Sequence, residues 1–478
     1  MNRLVTQEDF SEASQEFIRG KYFVSIEYEP KDEDTQITID CILKELGIFR
    51  AKDSDLQKYR YCLSDFFKVA DLYRDRLICW QGSSHAYDRG SAYSASIAKE
   101  VRDGLIRLGY LEPVGRFSVK DGLAQPYRVI GSEIPYDLRF KCHGIGPKVI
   151  VRNEKEKCYW KPDKKGTAVA RNTIIQLFGL PLLAQYEADV ERLNKLNLQY
   201  PLEMPDGQEF ATHKRIFVDG RLDVGGRHYG GWQNSPEALR LQATIGGEPV
   251  VEIDLKAAHP NILNAHVGNG ESLGVDPYAN ISFVKDAKYD GDRKRLRDAA
   301  KMLISAYLCK DGPMSRFPKG GDKESDPTTN KLKTVSFKEK YQLDHSVNYY
   351  MAQIFEQLPF LQNKDRMPTD LTFIESEIMR FAVNNLIDDG SPCYLVHDCL
   401  LVRESDKDAA IAYLQESLFQ SLGHVFDMDV TRYGHEPYLA KIPSHYPTQP
   451  TIITKPSKPN MIHEFDEFDS VLDDGDEF

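Results

Sequence analysis

Residues 394–402, YLVHDCLLV, decide the fold, because two apolar runs flank a single ionisable pair, His397 and Asp398. Apolar runs of four to eight residues are typical of buried strands. An Asp is almost never fully buried unless it is paired or bound to a metal. The pattern predicts a β-hairpin, buried on both sides, whose turn presents the carboxylate of Asp398. The alternative is a turn in which Asp398 only caps the local backbone.

A second carboxylate of the same kind is Asp254, at the end of the apolar run VVEID and just before a predicted helix. Upstream, Gly225 and Gly226 allow the backbone to approach a ligand closely, and Arg227 follows them as a candidate phosphate contact. Mg²⁺ prefers one or two carboxylates completed by water and phosphate oxygens. Two such carboxylates on neighbouring strands therefore favour two-metal phosphoryl transfer.

A basic helix is predicted for the segment DRKRLRDAAKMLISAYL. Arg293, Arg297 and Lys301 are four residues apart and share one face of it. Three cations on one face repel one another unless an anion lies against them, and a triphosphate is a natural candidate. The alternative is a solvated face with interleaved acids, for which this segment offers only Asp292 and Asp298.

Composition is that of ordinary globular protein, with 478 residues, 41% hydrophobic and 28% charged. The net charge of −12 is concentrated in residues 464–478, which hold eight acidic residues and no base, so the rest carries only −4. That balance is compatible with a local basic groove. No apolar run is long enough to span a membrane and no signal peptide is recognisable, so we expect a cytoplasmic protein.

Four motifs, in order, resemble the palm and fingers of family A DNA polymerases, the bacterial polymerase I and phage replicase kind. They are GGR with a downstream Gln and Pro, EIDLKAAHP, RDAAKMLISAYL and YLVHDCLLV, across roughly residues 215–435. Single-subunit phage RNA polymerases are similar. The resemblance implies an α+β right-hand polymerase with an antiparallel palm sheet and helical fingers and thumb. It also suggests a replication protein of a phage or other mobile element.

The resemblance implies a role for each matching residue. Asp254 and Asp398 become ligands of two Mg²⁺ ions, with Mn²⁺ as a substitute, and Lys301 becomes the proton donor to pyrophosphate. The other implied contacts are to the incoming nucleotide, from Arg297, Lys301, His259 and Tyr307, and to primer or template, from Arg227, Gln233, Arg240 and His397.

Three departures from the family pattern keep the product open. His259 stands where DNA-polymerising members carry a Glu that screens the sugar 2′-position, Ser305 replaces an aromatic residue, and Cys399 replaces an acid. We expect a DNA polymerase that extends a 3′-end on a primer–template with dNTPs, without a proofreading exonuclease. The alternatives are an RNA-synthesising polymerase or primase that uses rNTPs, and a catalytically reduced DNA-binding protein of replication initiation or regulation.

The predicted organisation has five segments. Residues 1–38 form a leader, and 39–150 a helical domain that resembles a winged helix–turn–helix or is a small helical domain with surface arginines. Residues 151–215 are a thumb-like segment with one long helix, or two broken near Pro181, and 216–445 are the palm and fingers. Within the last, residues 310–344 are predicted as a loop. Residues 446–478 are a Pro-rich linker and a disordered acidic tail, which binds a replication partner or only solubilises.

Overall fold

The computed structural model of the chain describes residues 28–48, 53–72, 77–80, 92–114, 126–130, 134–135, 137–145, 148–151, 166–218, 221–309, 312–319, 323–325 and 332–442. Most of the predicted leader, the Pro-rich linker and the acidic tail lie outside this part.

The described helices and strands follow one another as a mixture of both classes. The α-helices are Glu33–Glu45 (α1), Asp53–Leu72 (α2), Ala95–Arg107 (α3), Gly166–Asn197 (α4), Glu237–Arg240 (α5), Ala258–Val267 (α6), Ser282–Lys285 (α7), Asp290–Leu308 (α8), Phe337–Lys340 (α9), Val347–Gln357 (α10), Leu371–Asp388 (α11) and Lys407–Leu422 (α12). The strands are Tyr28–Pro30 (β1), Leu77–Cys79 (β2), Leu111–Pro113 (β3), Pro126–Val129 (β4), Phe140–Cys142 (β5), Val149–Val151 (β6), Leu202–Glu203 (β7), Glu209–Phe210 (β8), Lys214–Phe217 (β9), Gly225–Tyr229 (β10), Thr244–Ile245 (β11), Glu248–Leu255 (β12), Lys323–Ser325 (β13), Leu332–Thr334 (β14), Cys393–Val396 (β15), Cys399–Arg403 (β16), Met428–Arg432 (β17) and Tyr438–Leu439 (β18).

The central sheet has the strand order β15-β16-β12-β11-β7-β8, and β17 pairs with β12 and β18. All its pairings are antiparallel. The prediction of an α+β chain with an antiparallel sheet is therefore confirmed. So is the hairpin, because β15 and β16 pair directly across the turn that holds His397 and Asp398.

One face of this sheet lies against helices. Ile253 is in register with Leu400 on β16 and Val430 on β17, so the three side chains share a face. All three are buried in the core that α8, α11 and α12 complete. Burial of each such side chain contributes about 1.5–3 kcal/mol. The other face, one residue along, carries Asp254, and it is the face on which polar groups gather.

The N-terminal part has its own core of α1, α2, α3 and the sheet β2-β4-β3. The predicted hairpin is present as β3 and β4, and α3 ends at Arg107 before Gly109, whose φ of +85° suits glycine. This part meets the central sheet around Glu209. The hydroxyl of the buried Tyr28 donates to the carbonyl of Glu209 at 2.7 Å and accepts from its N–H at 3.0 Å, and Lys68 lies 3.6 Å from the Glu209 carboxylate.

Two local predictions differ from the structure, and a third, which left two forms open, is decided by it. The first described helix begins at Glu33, within the predicted leader, because the side chain of Asp32 caps it by accepting from Thr35 N. Helix α4, predicted as one long helix or as two broken near Pro181, continues through Pro181 as one helix. The predicted loop 310–344 contains the β13–β14 hairpin and α9, whose start has a capping box between Ser336 and Glu339. Among the described residues, no helix is long and apolar enough to cross a membrane.

Candidate active site

The two predicted carboxylates lie side by side. Asp254 is in register with Cys399, the first residue of β16, and Asp398 immediately precedes it in the turn. The N–H of Leu255 donates to the carbonyl of Asp398 at 3.2 Å, which ties the end of β12 to the turn. Sheet pairing therefore brings together two acids that are 144 residues apart in the chain.

The ionised forms of Asp254 and Asp398 are electrostatically unfavourable when no cation lies near them. Burial, followed by the charge of Asp398, raises the pKa of Asp254 to about 7, and only Lys301 among the main influences opposes the rise. Burial and the charge of Glu375 likewise raise the pKa of Asp398, against Arg227 and His259. Neighbouring carboxylates that disfavour each other's ionised form are the donor chemistry that a divalent cation offsets. Among the described residues, no three His, Cys, Asp or Glu side chains are grouped to hold a metal by themselves.

Near each carboxylate one residue has a backbone conformation that L-residues rarely adopt. His397, the first residue of the turn, has φ +58°, and Ala257, just after β12, has φ +47°. The amide of Asn261 holds the second turn by donating to the carbonyls of Lys256 at 2.9 Å and Ala257 at 3.3 Å. Such strain persists only where surrounding contacts over-determine it, and it concentrates at functional sites.

A buried ion-pair cluster lies beside Asp398. Glu375 on α11 is 1% exposed, and its Oε1 accepts from Arg227 Nε at 2.6 Å. Its Oε2 accepts from Arg227 Nη2 at 2.6 Å and contacts His259 Nε2 at 2.9 Å. Arg227 and His259 were predicted to bind substrate from separate motifs, and the structure brings them together on one acid.

Side chains from other parts of the chain form hydrogen bonds with β15, the edge strand of the hairpin that carries Asp398. The N–H of Leu395 on β15 donates to His213 Nε2 at 3.3 Å. Its carbonyl accepts from Trp232 Nε1 at 2.9 Å and from Gln233 Nε2 at 2.8 Å. These contacts satisfy the backbone groups of an edge strand. Gln233, predicted to contact primer or template, therefore uses its amide nitrogen within the protein.

The basic helix α8 meets more acids than the predicted segment, which begins at Asp292, offers. Arg297 Nε donates to Asp276 at 2.6 Å, and Arg293 pairs with Asp290 at 3.2 Å. The expectation that only Asp292 and Asp298 were available is thereby corrected. Lys301 is exposed, and its ammonium makes no hydrogen bond or ion pair with any described residue, yet its charge acts on Asp254.

The remaining predicted contacts are distributed around the pair. Tyr307 is 7% exposed and lies on another side of α8, where its ring meets Phe355 at 5.2 Å and Lys364 at 4.1 Å. Ser305 follows Lys301 on the exposed side and donates back to its carbonyl. His397 is exposed at the turn, with its ring 6.1 Å from that of Tyr229.

Cys399, which replaces an expected acid, is buried next to another acid. Glu252 lies two residues before Asp254 on the same face of β12, and burial followed by the charge of Glu252 raises the pKa of the Cys399 thiol. Arg240 Nη2 lies 3.7 Å from Glu252, and its Nη1 donates to the carbonyl of Ser235 at 2.7 Å. Because Glu252 already faces this position, a second carboxylate there would meet like charge.

Comparison with known proteins adds little to this geometry. No protein-family model matches the chain, and no curated protein matches its sequence. Among solved structures, the chain is similar to the POL domain of Pol1 from M. smegmatis in complex with DNA primer–template and dNTP, at 15% identity and a TM-score of 0.30. The match covers 58% of this chain and 57% of that one. A likeness this distant decides neither fold nor function, so the proposals below rest on this chain's own residues.

Sequence reasoning left Glu375 and Asp276 without assigned roles. For Glu375 a signal existed, because this acid interrupts the apolar helical spacing of Leu371, Ile374 and Ile378. An acid on an apolar face calls for a buried partner. For Asp276 no local signal existed, because its partner Arg297 lies 21 residues away.

Proposed function

We propose that this chain is a template-directed nucleotidyltransferase, a DNA polymerase that extends a 3′-end on a primer–template with dNTPs. The observation that carries the proposal is the adjacency of Asp254 and Asp398 on β12 and the β15–β16 turn, with Lys301 close enough to influence Asp254. Two carboxylates opposite a free cation are the parts that phosphoryl transfer needs.

The donor set fits Mg²⁺, with Mn²⁺ as a substitute. Asp254 and Asp398 offer hard carboxylate oxygens, and burial and mutual repulsion favour a cation between them. Two Mg²⁺ ions, when bound, supply activation of the 3′-hydroxyl and neutralisation of phosphate charge.

The chain's own residues take the other roles. Lys301 sets its ammonium against the triphosphate and gives a proton to the departing pyrophosphate. Arg297 binds phosphate after it leaves Asp276, and Tyr307 supports the nucleotide side of α8 from the core. Arg227, Arg240, Gln233 and His397 line the side taken by primer or template.

In this proposal the segments acquire functional names. The central sheet is the palm, α8 and its neighbours are the fingers, and α4 belongs to the thumb. The N-terminal part is a winged-helix-like unit, the acidic tail recruits a replication partner, and the chain replicates a phage or other mobile element without proofreading.

A second candidate is RNA synthesis by a single-subunit polymerase or primase. The observation that favours it is His259, which stands where an acid is expected and is held by Glu375 at 2.9 Å. An imidazole in that place changes which sugar hydroxyls are accepted, so rNTPs become admissible substrates.

Primer extension separates these candidates. The protein is incubated with Mg²⁺, a primed or unprimed DNA template, and either dNTPs or rNTPs. Extension of the primer by dNTPs alone supports the DNA polymerase, and unprimed incorporation of rNTPs supports the second candidate. No product under any condition, with retained DNA binding by fluorescence anisotropy, refutes both and favours a catalytically reduced DNA-binding protein.

Substitutions of the two carboxylates test whether they form the active site. Asp254→Asn and Asp398→Asn should each abolish incorporation. Asp429→Asn is the matched control, because Asp429 is in register with Asp254 on β17 but pairs with Lys256. Equal loss in the control would contradict the assignment of the pair.

A further inference from the structure

Glu375 is a buried acid for which the proposed polymerase roles leave no function. It lies on α11 among apolar residues such as Ile374 and Ile378, and it is 1% exposed. A buried carboxylate is costly unless its lone pairs are satisfied. Both of its oxygens are used, in a bidentate pair with Arg227 and a contact with His259.

The charge state of Glu375 determines which nitrogen of His259 holds a proton. Burial alone would raise the pKa of Glu375, but the hydrogen bonds from His259 and Arg227 outweigh it and hold this pKa at about 2. An ionised carboxylate can only accept hydrogen bonds. His259 Nε2 must therefore carry a proton, as in the carboxylate–histidine pairs that orient histidines at other sites.

The same contacts leave one nitrogen free on each partner. Nη1 of Arg227 and Nδ1 of His259 have no hydrogen bond to the described part of the chain. Both side chains act electrostatically on Asp398, which puts them on the carboxylate side of the site. Without the carboxylate of Glu375, Arg227 and His259 would not keep these orientations, because both side chains can rotate and are 22% and 18% exposed.

We propose that Glu375 is a positioning residue of this site. It holds Arg227 and His259 beside Asp398 so that each directs a free nitrogen at the bound substrate, and it keeps the proton of His259 on Nε2. This inference rests on the proposed function for its kinetic consequence. Its consequence for the state of His259 holds whether or not the chain polymerises nucleotides.

Glu377 supplies a matched control on the same helix. It is 11% exposed and pairs with the fully buried Arg215 at 2.9 Å and with Arg380 at 2.9 Å. Arg380 in turn pairs with Asp189 on α4 at 2.8 Å. Residues two apart on a helix point to opposite sides, so Glu377 holds α11 to α4 and β9 and does not touch Arg227 or His259.

The test compares Glu375→Gln, Glu375→Asp and Glu377→Gln in the full-length chain. Both Gln variants should lower the melting temperature, because each weakens a buried ion pair. Only Glu375→Gln should lower kcat for nucleotide incorporation, by about 10- to 100-fold, since small misplacements of positioned groups cost that much. Primer–template affinity, to which Arg227 contributes, should fall by a smaller factor than kcat. Glu375→Asp, which keeps the charge, should restore part of kcat.

A second readout does not need activity. In protein labelled with ¹⁵N-histidine, with His259 assigned by its loss in His259→Asn, the wild type and Glu377→Gln should have the Nε2–H tautomer, and Glu375→Gln should populate Nδ1–H. An unchanged His259 tautomer in Glu375→Gln overturns the inference. So does an equal loss of kcat in both Gln variants, which would assign Glu375 a structural role. If the wild type incorporates no nucleotide, the proposed function fails and the tautomer alone decides.

Discussion

His213 makes the stability of the hairpin that carries Asp398 dependent on pH. The imidazole is 2% exposed, and burial lowers its pKa from 6.5 to about 3. Its Nε2 accepts from Leu395 N–H, which only the neutral ring can do. The folded protein therefore keeps His213 neutral in a range of pH in which the unfolded chain protonates it.

The sign and size of the effect follow from that difference. This contribution to stability is fully present above pH 6.5 and is lost as the pH falls from 6.5 towards 3, because only the unfolded state takes up the proton. Each pH unit within that window costs about 1.4 kcal/mol. Between pH 7 and pH 5, His213 alone should lower the free energy of unfolding by about 2 kcal/mol. His228, whose pKa burial also lowers well below 6.5, acts in the same direction.

Urea unfolding followed by circular dichroism at pH 7, 6 and 5 measures this slope. His213→Gln removes the titrating group, so its slope should be lower than that of the wild type by about 1.4 kcal/mol per pH unit near pH 5. The variant also loses the ring contact with Trp232 at 4.5 Å, which lowers its stability by an amount that does not depend on pH, so the comparison uses the slopes alone. His345→Gln, at an exposed histidine, is the control. Identical slopes in wild type and His213→Gln would refute the reasoning.

Further predictions concern the carboxylate pair and α8. Asp254→Asn should raise the melting temperature in the absence of Mg²⁺ while abolishing incorporation, because burial and Asp398 raise the pKa of Asp254 to about 7 and so oppose its ionised form; a lower melting temperature would contradict this. Lys301→Ala should impair incorporation more than template binding, measured by single-turnover kinetics and anisotropy, with the exposed Lys294→Ala as control; equal losses would contradict the role of Lys301. Asp276→Asn should strengthen nucleotide binding severalfold, because it releases Arg297 from a 2.6 Å ion pair. Titration calorimetry measures this affinity, and an unchanged value would mean that Arg297 does not bind the triphosphate.

The hairpin shows how much of the secondary structure the local sequence pattern predicts. Two apolar runs around His397 and Asp398 predicted strands and a turn, and β15 and β16 follow that prediction within one residue at each end. The α8 and α12 helices were predictable for the same reason, since apolar spacing and a final glycine after α12 are local signals. Pro181 left open whether one or two helices form, because a proline usually breaks a helix, and the structure has α4 continuing through it.

The candidate site likewise has features that the sequence predicts and features that only the tertiary structure decides. Sequence by itself determined which residues we propose to carry the chemistry: two acids that end apolar strands, a lysine on a basic helix, and the departures at His259 and Cys399. Tertiary structure alone decided the partners: Asp276 for Arg297, Glu252 for Cys399, and Glu375 for both Arg227 and His259. The reason is physical. Apolar periodicity specifies an element and the face it buries, but side chains distant in sequence meet only through strand register and helix packing, which no local pattern encodes.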